Sequence, residues 1–172
     1  MKIILSELKS EHASKKYLSW LKDKKTSMYT EFRFHKHSLN TIKSYIKNNL
    51  KSKNDYLYGI FIRHLKNKEL THVGNIKLSE ISYAHKFANI SYLVGEKEYL
   101  NKGIGYSAIK MILILAKKRF KLKKIYAGCY SNNIFSKKVL KKNGFLHEAT
   151  LKKKFIFKKQ FVDHYIFSKK LF

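Results

Sequence analysis

The spacing of apolar residues along the chain predicts four helices. Residues 14–29 carry Tyr17, Leu18 and Leu21 at helical intervals. A second helix is predicted over 38–50 with Ser38 as its N-cap, a third over 104–120, and a fourth over 132–145. The fourth begins at Asn132 or Asn133 and ends at Asn143-Gly144.

Two of the predicted helices have an apolar stripe that should be buried. In the second helix the stripe contains Leu39, Ile42, Ile46 and Leu50. In the third it contains Ile104, Ala108, Met111 and Leu115.

Runs rich in β-branched and aromatic residues predict six or seven strands around these helices. The chain begins with one, and others are predicted over 55–64, 72–82, 86–95 and 122–130, with a turn at 66–71. In the strand 86–95, Ile90, Tyr92 and Val94 are expected on one face. Two further strands around 158–160 form a terminal hairpin. This order is typical of an α/β (α+β) protein with a mixed sheet. No repeat or linker divides residues 1–172, so we expect a single domain.

The charge balance of the chain is strongly basic. The 172 residues include 38 Lys+Arg and 11 Asp+Glu, a formal net charge of +27. Such a field attracts nucleic acid, acidic lipid or phosphorylated small molecules. The alternative is compositional drift, because Lys and Asn are abundant and Pro is absent, as in the products of an AT-rich genome. The lysines are spread over the whole chain, which speaks against a dedicated nucleic-acid arm.

Cysteine content and hydropathy indicate a cytoplasmic protein. The single cysteine, Cys129, excludes an internal disulfide and a multi-cysteine zinc site, and no metal is expected. No apolar stretch reaches the roughly 18 residues of a membrane span. The N-terminus lacks the features of a signal peptide.

Two of the seven glycines, Gly103 and Gly105, stand at the start of the third predicted helix. A helix N-terminus binds phosphate through its free amides, and glycines let a bulky anion approach them. Lys102 adds a positive charge. The order Lys-Gly excludes a P-loop, and the absence of a third glycine excludes the dinucleotide fingerprint. The stretch therefore indicates a diphosphate site made of backbone amides or, alternatively, an ordinary tight turn.

The stretch "YLNKGIGYSAI" resembles the acetyl-CoA diphosphate loop of the GNAT superfamily of N-acetyltransferases. Gly103 and Gly105 match the glycines of that motif, whereas Leu100 replaces its usual Gln or Arg. "NNIFSKKVLKKNGF" resembles the second family helix, with Asn133 and Ser136 matching. The resemblance is strongest from residue 57 to residue 145. It is closest to the branch that contains ribosomal-protein N-terminal acetyltransferases and acetyltransferases of surface-sugar biosynthesis.

This resemblance implies acetyl-CoA as the co-substrate and a sheet that splays in its middle. Pantetheine would pair with the strand that ends at residue 95, beside a V-shaped opening. The diphosphate would bind the amides of residues 101–106, and Asn133 would contact the pantetheine arm. The predicted acetyl-CoA-binding residues are Leu93, Val94, Gly95, Asn101, Lys102, Gly103, Ile104, Gly105, Tyr106, Asn133 and Ser136.

The implied reaction is direct transfer of acetyl to a primary amine, which needs a base because free alkyl amines are protonated at pH 7. Many relatives carry a Glu within the strand 88–94 and a Tyr at the position of Leu140; this chain has neither. The remaining catalytic candidates are Glu31, Tyr92 (or Ser91) and His72 (or His85). Glu31 and Arg33 are also predicted to bind the acceptor, with a loop salt bridge as the alternative.

Three kinds of partner remain open from the sequence. The first is a small-molecule amine, above all a nucleotide-linked amino sugar of surface-glycan synthesis, whose phosphates suit a lysine-rich cleft; polyamines, antibiotics and amino acids are the alternatives. The second is the N-terminus of a ribosomal protein, although a basic partner would be repelled by a charge of +27. The third reading is a non-enzymatic nucleic-acid binder. A homodimer is compatible with the sequence.

Overall fold

A computed structural model describes residues 2–65 and 69–172 of the chain. These residues form one seven-stranded mixed sheet with five α-helices, so the predicted α/β class is confirmed. The strands are β1 (Lys2–Glu7), β2 (Tyr56–Arg63), β3 (Leu70–Ser82), β4 (Phe87–Val94), β5 (Lys124–Tyr130), β6 (Leu146–Phe157) and β7 (Gln160–Lys170). The helices are α1 (Lys15–Lys22), α2 (Lys24–Ser27), α3 (Leu39–Lys51), α4 (Ile104–Lys118) and α5 (Ile134–Lys142). Residues 66–68 of the predicted turn lie outside the described residues.

The sheet opens in its middle, as predicted. Its strand order is β1-β2-β3-β4-β5-β7-β6, and only the neighbours β4 and β5 run parallel. These two strands pair over three residues, from Phe87↔Lys124 to Asn89↔Tyr126, and then separate. Beyond residue 89, β4 pairs with β3 on one side and with no described strand on the other. This V-shaped opening leaves a stretch of β4 backbone free to bind a ligand.

Apolar residues cover both faces of the sheet. Tyr58 of β2 belongs to the core under α4, whereas its neighbour Leu57 belongs to the core under α1 and α3. Successive side chains of a strand point to opposite faces, so the two cores lie on opposite sides of the sheet. The α4 residues buried in the first core are Ile104, Ala108, Ile109, Ile112, Leu113 and Ala116.

Three details of the predicted helices are wrong. The helix predicted over 14–29 divides at Asp23, because the Asp23 carboxylate accepts the N–H groups of Lys25 and Thr26, both at 2.8 Å, and starts α2 there. On α3, Leu50 is exposed and Asn49 is buried in its place. On α4, the buried stripe is rotated, so that Met111 and Leu115 are only half-buried at its edge.

The terminal hairpin is confirmed, with β6 starting earlier than predicted, at residue 146. Lys158 and Lys159 form its turn with φ of 49° and 65°, the left-handed pair that a tight two-residue hairpin requires. The hairpin places β7 between β5 and β6. Within the part of the chain that the structure describes, no helix is long and apolar enough to cross a membrane.

Candidate active site

A cleft of about 850 Å³ occupies the opening between β4 and β5. Its lining residues come from both faces of the sheet. The α4 side contributes the N-terminal turn of α4 and the start of α5. The opposite side contributes residues 28–32, Tyr130 at the end of β5, and the hairpin residues Phe155 and His164. The cleft therefore offers two compartments that meet where the strands separate.

The N-terminus of α4 presents open backbone to this cleft. Gly103 is its N-cap with φ of +75°, and Asn101 has φ of +60°. A Cβ atom at Gly103 would meet no atom within 4 Å, so the space beside it is open. The first amides of a helix have no acceptor inside the helix, and they carry the positive end of its dipole. This arrangement suits a diphosphate group.

Gly105 has a different role, because it packs on Tyr92. A Cβ atom at Gly105 would lie 2.9 Å from Tyr92 Cε2. Tyr92 in turn faces Ser136 of α5; burial raises the pKa of the Tyr92 hydroxyl, and the Ser136 side chain partly offsets this rise. The side chain therefore connects β4 to α5 on the α4 side of the cleft. This is where the structure places the predicted catalytic residue Tyr92.

Most of the predicted acetyl-CoA-binding residues line the cleft, and two do not. Gly95 donates its N–H to Val73 O at 2.9 Å, and a Cβ there would overlap the Trp20 ring, so this glycine serves packing. Lys102 extends its Nζ to 5.5 Å from the centre of the Tyr99 ring. The predicted residues that line the cleft are Leu93, Val94, Asn101, Gly103, Ile104, Gly105, Tyr106, Asn133 and Ser136.

Asn133 caps α5, which decides between the two predicted capping residues. Its Oδ1 accepts the N–H of Ser136 at 3.1 Å. The cap uses the carbonyl oxygen of the side chain only, so the amide NH₂ remains a donor for a ligand in the cleft. Cys129 also lines the cleft on this side, and burial raises the pKa of its thiol to about 11, which suits a core residue rather than a nucleophile.

Glu31 stands in the opposite compartment, on a 3₁₀ turn over Glu31–Phe34. Its Oε1 accepts the hydroxyl of Tyr130 at 2.7 Å. Arg33, predicted to bind the acceptor with Glu31, is instead tied to the protein. Its Nη1 donates to Met28 O at 2.9 Å, and its Nη2 donates to Tyr130 at 3.1 Å and to Ile156 O. Arg33 does not line the cleft, and its geometry is that of a structural clamp.

His164 completes this compartment. It faces Tyr130 across the β5–β7 pair, and its Nε2 lies over Gly128, where a Cβ atom would overlap the ring. Phe155 packs on the ring, with centroids 4.6 Å apart. Within residues 2–65 and 69–172, His164 Nδ1 is one of four buried side-chain atoms without a hydrogen-bond partner. Burial lowers the pKa of His164, Lys154 lowers it further, and Glu31 partly offsets them.

His72, predicted to be catalytic, does not line the cleft but stands behind Asn75, which does. The ring stacks on Phe61 at 4.8 Å and meets Trp20 at 4.9 Å, and its Nε2 is 2.9 Å from Asn75 Oδ1. Burial lowers the pKa of His72 to about 4. The residue belongs to β3, is neutral at pH 7 and packs among aromatic rings behind Asn75 rather than in the opening.

Tyr130 and His164 were not among the residues predicted from the sequence. Both reach the cleft through the pairing of β5 with β7, which no local motif specifies. The available signal was Gly128, because a glycine inside a strand often marks a place where another group approaches closely.

The comparisons with known proteins agree with this geometry. Residues 2–146 match the family model described as "Acetyltransferase (GNAT) domain". The chain belongs to the GNAT acetyltransferase family. It is accordingly an acetyl-CoA-dependent N-acetyltransferase, as the resemblance implied. The open space beside Gly103 and the edge of β4 that pairs with no described strand suit coenzyme A.

Solved GNAT structures share the fold at low identity. A spermidine N-acetyltransferase from Vibrio cholerae in complex with CoA and spermine has a TM-score of 0.83 at 18% identity, over 98% of this chain and 95% of that one. A ribosomal L7/L12 alpha-N-protein acetyltransferase (RimL) in complex with coenzyme A has a TM-score of 0.85 at 15% identity, over 99% and 95%. No curated protein gives a significant sequence match. At such identities the likeness shows the fold alone.

Proposed function

We propose that this GNAT enzyme acetylates a primary amine carried by an anionic small molecule, and that its acceptor is a nucleotide-linked amino sugar of surface-glycan synthesis in the cytoplasm. The supporting observation is the charge of the cleft. Lys25, Lys77 and Lys138 line it, whereas Glu31 is the one carboxylate among its described lining residues. Phosphate groups gain from such a cleft.

The same charges disfavour a polyamine. Spermidine carries several ammonium groups, and a site for it needs several carboxylates. In the described lining, only Glu31 is available, and Lys25 and Lys77 oppose it, whereas Lys138 belongs to α5 on the α4 side. Lys77 is partly neutralised, because its Nζ lies 3.3 Å from Asp55 Oδ1, yet this leaves the cleft positive. The similarity to the spermidine enzyme therefore concerns the fold and not the recognition of charge.

The acceptor compartment also carries flat aromatic surfaces. Tyr29 stacks on Phe157 with centroids 4.9 Å apart, and Tyr130 stacks on Phe155 at 4.6 Å. Tyr29, Tyr130 and Phe155 line the cleft. Aromatic faces bind nucleobases and sugar rings. Glu31 then supplies a negative charge for the ammonium group of the acceptor, and no other described lining residue of the cleft is acidic.

A panel of three acceptors tests the proposal. Release of CoA thiol is measured with UDP-glucosamine, with spermidine and with an N-terminal peptide of a ribosomal protein. We expect the highest kcat/KM with the nucleotide sugar. Preference for spermidine or for the peptide would contradict the proposed acceptor class and leave the family assignment intact.

Reversing the charge of a lysine in the cleft lining gives a second test of the acceptor class. Lys25→Glu places a negative charge in the cleft lining, so the KM for the nucleotide sugar should rise by about threefold to tenfold and that for spermidine should fall. Lys24→Glu is the matched control, because Lys24 is exposed on the same helix but does not line the cleft. Equal effects of the two substitutions would contradict recognition of phosphate at Lys25.

A further inference from the structure

The reaction requires a proton acceptor, and β4 carries no carboxylate. Of the described acidic residues, Glu31 alone lines the cleft, and the Tyr130 hydroxyl already donates to it. A further base can therefore come only from another titratable group among the described residues of the acceptor compartment.

We propose that His164 is the general base of this enzyme, which takes a proton from the acceptor amine at the opening between β4 and β5. The inference rests on the proposed function only in that the acceptor is a primary amine bound in this compartment. It does not depend on which amine is bound.

The position of the ring supports this role. Its Nε2 lies over Gly128, which belongs to the part of β5 that has separated from β4. The thioester must reach this opening to meet an amine from the other compartment. Gly128 lacks a Cβ atom, so the imidazole can lie directly against the strand. Any larger residue there would push the ring away from the opening.

The surroundings of the His164 ring favour its neutral form and leave one ring nitrogen free to accept a proton. Phe155 covers one side, and Nδ1 is buried without a partner among the described residues. Because Nδ1 is closed off from the cleft, the nitrogen that takes the proton is Nε2, which lies over Gly128. The charged or titratable groups that face the ring are Lys154 of β6, Tyr130 of β5 and Glu31 of the 3₁₀ turn. Burial and Lys154 both disfavour the imidazolium, so the base form prevails at pH 7.

The proton balance is simple. The bound ammonium gives one proton to neutral His164 and becomes an amine. Its lone pair forms the N–C bond to the thioester carbonyl carbon, and the C–S bond breaks. The departing thiolate receives the second proton from the attacking nitrogen. His164 then releases its proton to solvent, so the net products are the amide, CoA thiol and one proton.

The test compares His164→Gln with His147→Gln, an exposed histidine of β6 outside the cleft. The assay uses whichever amine of the panel the parent enzyme acetylates best, so an error in the acceptor class does not affect it. We expect kcat to fall about 100-fold in His164→Gln, with the acetyl-CoA Kd unchanged, and His147→Gln to match the parent.

The pH profile is a second measurement. In the parent, kcat should rise with pH through a pKa below 6.5 and then level off, because only the neutral imidazole is active. The variant should lose this inflection.

A chemical rescue separates catalysis from packing. His164→Ala removes the ring, and added imidazole should restore part of kcat, which a purely structural role would not allow. Gly128→Ala leaves His164 in place but displaces its ring, so it should lower kcat without changing the acetyl-CoA Kd. Parent-like kcat and an unchanged pH profile in His164→Gln, or the absence of imidazole rescue in a folded His164→Ala, would overturn the proposal.

Discussion

The Tyr130 hydroxyl donates a 2.7 Å hydrogen bond to Glu31 Oε1 and joins the end of β5 to a turn 99 residues earlier in the chain. The contact aims the single described carboxylate of the cleft at the acceptor compartment. Arg33 holds the same hydroxyl from the other side at 3.1 Å. Tyr130 therefore positions Glu31, and Arg33 positions Tyr130.

Tyr130→Phe should weaken acceptor binding. Loss of a hydrogen bond to a charged group costs about 1.5–3 kcal/mol, so we expect the acceptor KM to rise about tenfold or more. The acetyl-CoA Kd should not change, because the bond lies in the other compartment. Steady-state kinetics with the preferred amine provide the measurement.

Glu31→Gln is the companion variant. It keeps an acceptor for the Tyr130 hydroxyl but removes the charge, so its effect on the acceptor KM should match or exceed that of Tyr130→Phe. An unchanged KM in both variants would show that Glu31 does not contact the acceptor.

Two substitutions at Gly103 separate the effect of backbone strain on stability from the effect of a side chain on acetyl-CoA binding. Gly103→Ala forces a Cβ into the left-handed region and should lower the free energy of unfolding by about 1–2 kcal/mol. Gly103→Asn tolerates that conformation, yet its side chain enters the open space beside the α4 amides. We expect Asn to keep a near-parent Tm while weakening acetyl-CoA binding, measured by calorimetry.

If Gly103→Asn binds acetyl-CoA as tightly as the parent, the diphosphate does not lie beside Gly103, and the loop is an ordinary turn.

Gly105 should respond differently. Because a Cβ at this position would lie 2.9 Å from Tyr92 Cε2, Gly105→Ala should lower the Tm by displacing the tyrosine ring. Tyr92→Leu removes the ring edge that a Cβ at position 105 would touch. It should therefore lower the Tm less in the Gly105→Ala background than in the parent enzyme. Strictly additive Tm changes would show that the two residues are not coupled in this way.

His72 should make stability depend on pH. Its pKa is about 4 in the folded protein and 6.5 in its ordinary state, so below pH 6.5 the unfolded chain binds a proton that the folded protein does not. The contribution is complete above pH 6.5 and falls as the pH drops toward 4, by up to about 3 kcal/mol. His72→Gln should flatten the Tm profile in this window. His85→Gln, at an exposed histidine, should not.

Local sequence signals predicted most of the residues that line the α4 side of the cleft and few of those that line the opposite side. Gly103 and Asn133 are predictable because a positive-φ glycine and a capping asparagine act within their own turns. The catalytic role predicted for His72 rested on the ordinary titration range of histidine. The aromatic residues that bury it come from distant segments, which the local sequence does not reveal. Tyr130 and His164 depend on which strands become neighbours, and a lone sequence does not state that pairing.

The position of β7 has a consequence for the biosynthesis of the enzyme. This strand, which carries His164, is inserted between β5 and β6 although it follows both in the chain. During translation, β5 therefore has an unsatisfied edge until residues 160–170 leave the ribosome. A shortened product that stops before this segment would lack an interior strand rather than a peripheral one, and would expose an adhesive β edge to other nascent chains.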